Sequence, residues 1–92
     1  MASHLIIKGI VQGVGYRAWF LSQAQALRLR GWVRNRSDGS VEAVVCGAPQ
    51  AVDEMIALAR RGPPAARVRQ LNAHPVPDDN VAEADFELRA TA

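Results

Sequence analysis

Gly9-Ile10-Val11-Gln12-Gly13-Val14-Gly15-Tyr16-Arg17 carries an apolar, strand-like run through alternating glycines into a segment with helical spacing. A chain that turns this tightly from strand to helix needs residues that take positive φ without steric cost, which is the property of glycine. The same geometry gathers successive N–H groups around a concavity. The first turn of the following helix adds unpaired N–H groups and the positive end of its dipole. Arg17 brings a permanent charge on a planar donor fork. The stretch therefore reads as a phosphate cradle made by Gln12, Gly13, Val14, Gly15, Tyr16 and Arg17. An ordinary strand-to-helix connection uses the same glycine spacing, so the stretch alone leaves both readings open.

From Gln12 to Arg17 there is no Ser, Thr, Cys, His, Asp or Glu. The cradle thus offers no residue for a phosphorylated intermediate and no carboxylate for magnesium. It is not a Walker-type loop, which needs Gly-Lys followed by Ser or Thr. No metal and no cofactor is expected.

Outward from the cradle, His4 to Val11 reads as a first strand rich in Leu, Ile and Val. Phe20, Ala24 and Leu27 are spaced to share one face of a helix running from about Arg17 to Leu29, with Trp19 beside that face. Gly31 is expected to close it. Trp32 to Ser37 and Ser40 to Gly47 form a hairpin across Asp38-Gly39, where both central residues tolerate positive φ. Pro49 suits the first turn of a second helix. Its stripe is Val52, Met55, Ile56 and Ala59, and Gly62-Pro63-Pro64 stops it. A fourth strand spans about Arg67 to Val76, Pro75 to Asn80 reads as a turn or loop, and a last strand alternates Ala84, Phe86, Leu88 and Ala90 with polar residues. The order βαββαβ, its final strand region in two pieces, implies an α+β, ferredoxin-like sandwich: an antiparallel sheet with two helices on one face. Its first strand is central, and the strand carrying Asn35 is expected beside it.

Gly31-Trp32-Val33-Arg34-Asn35-Arg36-Ser37-Asp38-Gly39-Ser40-Val41 is the second informative segment. With Gly9 to Arg17 it resembles the acylphosphatase family, whose signatures are a Gly-x-Val-Gln-Gly-Val-x-aromatic-Arg loop and a Gly-aromatic-x-x-Asn-x-x-x-Gly-x-Val hairpin. Both patterns are met without a break. The likeness continues through Pro49, Arg61-Gly62-Pro63-Pro64 and Phe86-Glu87-Leu88-Arg89, nearly the whole chain. It implies that Arg17 holds the phosphate and that Asn35 orients the attacking water. Arg36 stands where relatives often carry a small hydroxyl residue. Arg89-Ala90-Thr91-Ala92 lacks the aromatic that many carry near the end.

The chemistry of these residues agrees with that implication. Phosphoryl transfer through a loose transition state asks mainly for positioning and charge stabilisation. An acyl phosphate releases a carboxylate whose conjugate acid has a pKa of about 4, so no general acid is needed near neutral pH. A cradle without acid or base therefore favours acyl phosphates over phosphate monoesters of alcohols. The amide of Asn35 can orient a water but takes no proton. In its plainer reading, Asn35 is a strand-end residue bonding its own backbone. Inorganic phosphate is expected as product and competitive inhibitor.

Ninety-two residues make one domain, residues 1–92, with a modest core and a shallow site. The formal charge is only +2, and Lys8 is the only lysine. Strand three carries no aromatic for stacking bases, so no nucleic-acid partner is expected. The alternative function, a non-catalytic ferredoxin-like module binding anions or nucleic acid, is disfavoured on that ground. A carbamoyl-phosphate-handling domain of a larger maturation protein is a further reading, disfavoured because no partner domain follows residue 92. Cys46, the sole cysteine, reads as a buried strand thiol. No stretch approaches the ~20 apolar residues of a membrane span. A cytoplasmic monomer acting on a small molecule, with no membrane partner, is expected. His4 and His74 are far apart in sequence with no neighbouring carboxylate, and read as surface or strand-edge histidines. Arg34 and Arg36 should share the strand face opposite Asn35, and Ser37 and Ser40 serve the hairpin.

Overall fold

The computed structural model describes Met1–Ala92. It runs β1 (Ala2–Ile10), α1 (Tyr16–Ala26), β2 (Arg30–Asn35), β3 (Val41–Cys46), α2 (Pro49–Arg61), β4 (Arg67–Val76), a short 3-10 turn (Asp78–Asn80) and β5 (Phe86–Leu88). The five strands lie in the order β4-β1-β3-β2-β5, and both helices cover one face, as the ferredoxin-like reading requires. The inner pairings are antiparallel, with Leu5 opposite Ala43 and Val33 opposite Ala43 on its other side.

Two expectations about the sheet need correction. It is mixed rather than antiparallel throughout, because β5 pairs parallel to β2, with Gly31 opposite Phe86. β4 ends beside Ala2, where β2 also begins. The chain then crosses the uncovered face at that end, burying Val81 against Ala2, Trp32, Val44 and Cys46. It reaches the edge of β2 running the same way as β2. In addition, β3 and not β2 adjoins β1, so Asn35 lies one strand further from β1 than expected.

Alternation along the strands sends Leu5, Ile7, Val33, Val41, Ala43 and Val45 to the helix-covered face, where Phe20, Ala24, Val52, Met55 and Ala59 meet them. Each large apolar side chain fully buried there contributes about 1.5–3 kcal/mol. The stripe of α2 is as read, with Ile56 only half-buried. Cys46 is buried. In the last strand only Phe86 reaches the core, and Leu88 is 48% exposed.

Turn chemistry departs from expectation at two places. Arg28, at φ 57, ends α1 by taking the left-handed conformation itself. Gly31 instead sits within β2 at φ +135, where a Cβ would meet the carbonyl oxygen of Val44 at 2.0 Å. The hairpin is a three-residue loop, Ser37 to Gly39, closed by Arg36 N–H on Ser40 O at 2.9 Å and Gly39 N–H on Arg36 O at 3.1 Å. Only Gly39 has positive φ; Asp38 does not.

Candidate active site

Because β1 is an interior strand, flanked by β4 and β3, its end delivers the following loop to one end of the sheet away from either edge. Gly13 (φ 75) and Gly15 (φ 77) are both left-handed, and Gly15 caps α1. A Cβ at either would meet nothing within 4 Å, so backbone conformation and not crowding demands glycine there. The N–H groups of Gln12 to Gly15 donate to no acceptor in the chain. Those of Tyr16, Arg17 and Ala18, the first turn of α1, are orphaned by helix geometry. The result is a row of convergent donors with the helix dipole behind it.

Three side chains of the loop fix its shape. Gln12 Nε2 donates to the carbonyls of Arg36 and Ser40, each at 2.8 Å, and so braces the loop against the hairpin that follows Asn35. Val14 packs on the core. Tyr16 is buried, its hydroxyl donating to Ala59 O at 2.8 Å. Burial pushes its phenol well above the ordinary tyrosine range, so it stays protonated. Tyr16 therefore offers the cradle its N–H and not its ring. Arg17, half-exposed, pairs with no carboxylate of the chain, in contrast to Arg34, Arg36 and Arg89.

Asn35 ends β2 opposite Val41 and shares the helix-side face with Val33. Its Oδ1 is buried and has no hydrogen-bond partner in the chain, the sole buried side-chain polar atom in that condition. A buried acceptor left unmet costs about 1–3 kcal/mol, so an orphan of this kind at the end of a strand points to a ligand. The plainer reading, in which Asn35 bonds its own backbone, does not hold for Oδ1. The orphaned oxygen sits one residue before Arg36, whose carbonyl anchors Gln12. The cradle and the amide are thus tied to a common hairpin. Asp38 steadies that hairpin by accepting from Ser40 Oγ at 2.6 Å and Ser40 N–H at 3.0 Å, which holds its carboxyl below the usual carboxylate range.

The arginines flanking Asn35 are occupied elsewhere. Arg34 lies on the uncovered face, its Nε donating to Glu42 Oε1 at 2.7 Å and its guanidinium stacked on Trp32. Arg36 has already left the strand and lies 3.8 Å from Asp38. The histidines are closer to each other and to a carboxylate than their sequence positions suggest. His4 is opposite His74 across β1 and β4, and its Nε2 donates to Glu42 Oε2 at 2.7 Å. Pairing across strands, invisible in linear order, makes these neighbours. Partial burial of Glu42 raises its carboxyl, but the hydrogen bonds from His4 and Arg34 outweigh that and hold it below the ordinary glutamate range. No three His, Cys, Asp or Glu side chains converge. A depression of about 240 Å³ lined by Lys8, Arg69 and the hairpin lies nearby but includes no residue of the cradle.

The protein-family model described as Acylphosphatase matches residues 3–88. An acylphosphatase of Bradyrhizobium diazoefficiens is 62% identical over 64 residues, covering 70% of this chain and 65% of that relative. The solved structure of an acylphosphatase from Coxiella burnetii is 35% identical and superposes with a TM-score of 0.88 over 96% of this chain and 90% of that one. Full-length HypF in its phosphate- and nucleotide-bound form is also similar, at 27% identity and a TM-score of 0.87, over 98% of this chain but 12% of HypF.

Proposed function

Since the chain belongs to the acylphosphatase family, we propose that it hydrolyses the carboxyl–phosphate bond of acyl phosphates to a carboxylate and inorganic phosphate. The loop from Gln12 to Arg17 holds the phosphoryl oxygens, and Asn35 orients the water. The observation that carries this reading is the orphaned, buried Oδ1 of Asn35 on the hairpin that Gln12 braces to the cradle.

In the reaction, backbone N–H groups and the Arg17 fork surround the phosphoryl oxygens, where negative charge is held through a loose transition state. Asn35 Oδ1 accepts a hydrogen bond from the water and turns its lone pair toward phosphorus, in line with the leaving oxygen. A new P–O bond forms as the bond to the acyl oxygen breaks, and the electron pair departs with the carboxylate. One proton of the water stays on the new P–OH, and the other passes to a second phosphate oxygen or to solvent. With a leaving-group pKa of about 4, no acid is needed. Backbone N–H groups, a guanidinium and a carboxamide bind an anion and require no metal or cofactor. Inorganic phosphate competes for the same cradle. Residues 1–92 act as one catalytic unit, monomeric and cytoplasmic.

The test offers purified protein benzoyl phosphate and an alkyl phosphate monoester, each with chelator present. Turnover of benzoyl phosphate alone is expected. Phosphate binding without turnover of either would instead favour the non-catalytic anion-binding module, and dependence on magnesium or zinc would overturn the mechanism.

A further inference from the structure

We propose that Arg89 is a positioning residue for the hydrolysis, acting on Asn35 through the chain that follows β5; the inference rests on the role given to Asn35 above. Past Leu88 the chain keeps to the outer edge of β2. Arg89 N–H donates to Val33 O at 2.9 Å, Ala92 N–H to Asn35 O at 3.0 Å, and Ser37 N–H to Ala92 O at 2.8 Å. The main chain of Asn35 is thereby flanked by Val41 on one side and Ala92 on the other.

Burial of apolar surface does not hold this strap, because Leu88 and the residues from Ala90 to Ala92 are exposed. Arg89 supplies the anchor. Its guanidinium lies 4.4 Å from the centroid of Trp32, whose ring is also stacked by Arg34 at 4.9 Å. Its Nη2 pairs with Glu83, whose side chain is only 10% exposed. A cation on an aromatic face that also meets a carboxylate is fixed in orientation as well as position. The strap makes the last residues of β2 an interior strand where they would otherwise fray as an edge. An amide that must aim a water along a P–O axis depends on that, since a displacement of about 1 Å costs on the order of 100-fold in rate.

The test is a double-mutant cycle on the full chain with benzoyl phosphate. Arg89→Ala is expected to lower kcat roughly 10- to 100-fold while KM and the rise of Tm on adding inorganic phosphate stay near wild type. Ala92→Pro, which keeps the anchor and removes the N–H bonded to Asn35 O while also fixing the local backbone, is expected to do the same, and it decides the matter if Arg89→Ala does not fold. In an Asn35→Ala background either change is expected to lower kcat no further, because both act through that amide. Normal kcat in both variants beside a crippled Asn35→Ala enzyme, loss of the phosphate response, or losses that multiply in the double variant would overturn the proposal. A full-rate Asn35→Ala enzyme would remove the reading beneath it.

Discussion

The hydroxyl of Tyr16 donates to the carbonyl oxygen of Ala59 at 2.8 Å, tying the first residue of α1 to the last turn of α2. That carbonyl is one of those a helix end leaves without an internal partner. Tyr16→Phe strands it in a buried setting and is expected to destabilise the fold by about 1–3 kcal/mol, lowering Tm, while kcat stays within about twofold of wild type. A fall in kcat at unchanged Tm would mean that the hydroxyl meets the substrate.

Arg17 has no carboxylate partner of its own, so its replacement tests anion binding with little effect on folding. Arg17→Lys keeps the charge but loses the planar fork. Both affinity for phosphate and kcat/KM are expected to fall, the latter by about 100-fold or more. Isothermal titration with inorganic phosphate beside initial rates provides the check, and near-normal values would place the anion elsewhere.

Asn35 separates two tasks that Arg17 combines. Asn35→Ala is expected to lower kcat by about 100- to 1,000-fold yet keep the phosphate-dependent rise in Tm that comes from binding to the folded state. Arg17→Ala is expected to lose both. An Asn35→Ala protein that no longer responds to phosphate would make this amide part of the anion site.

Glu42 ties the pH response of the fold to the uncovered sheet face. Its carboxyl is held below the ordinary glutamate value of 4.5, so its contribution to stability is full above that value. The contribution fades as pH falls through the folded-state value, where the unfolded chain already binds the proton. Glu42→Gln is expected to melt lower than wild type at pH 7, with the gap closing as the pH drops below 4.5. Melting curves from neutral pH to about pH 3 measure it, and a gap that widens on acidification would contradict the hydrogen bonds from His4 and Arg34.

Elements with strong local signals were legible from sequence. Pro49 and Gly62 bound α2 as their chemistry dictates, and β4, whose pattern is less clear, still spans Arg67–Val76 as read. Gly13 and Gly15 take the left-handed angles that the cradle needs. What escaped depends on distant parts of the chain. The parallel pairing of β5 follows from the end of the sheet at which the chain crosses. The His4–Glu42 contact follows from cross-strand register. The brace from Gln12 to the hairpin looks from sequence like one more polar residue of the loop. Arg28 in the left-handed region has no local signature, since Gly31 is the expected terminator and is needed three residues later, where β3 leaves no room for a Cβ. The family likeness pointed to Asn35; that its oxygen is both enclosed and unmet could be found only in three dimensions.

If Asn35 orients the water as proposed, that enclosed oxygen sets heat tolerance against turnover. Substituting an apolar side chain of similar size for Asn35 abolishes the unmet acceptor and adds contact with the core, so such a protein is expected to melt higher than its parent while its turnover falls as far as that of Asn35→Ala. A library of this chain screened for survival at elevated temperature alone is therefore expected to enrich slow enzymes at position 35, and breeding a robust catalyst from it demands that activity be scored in every round.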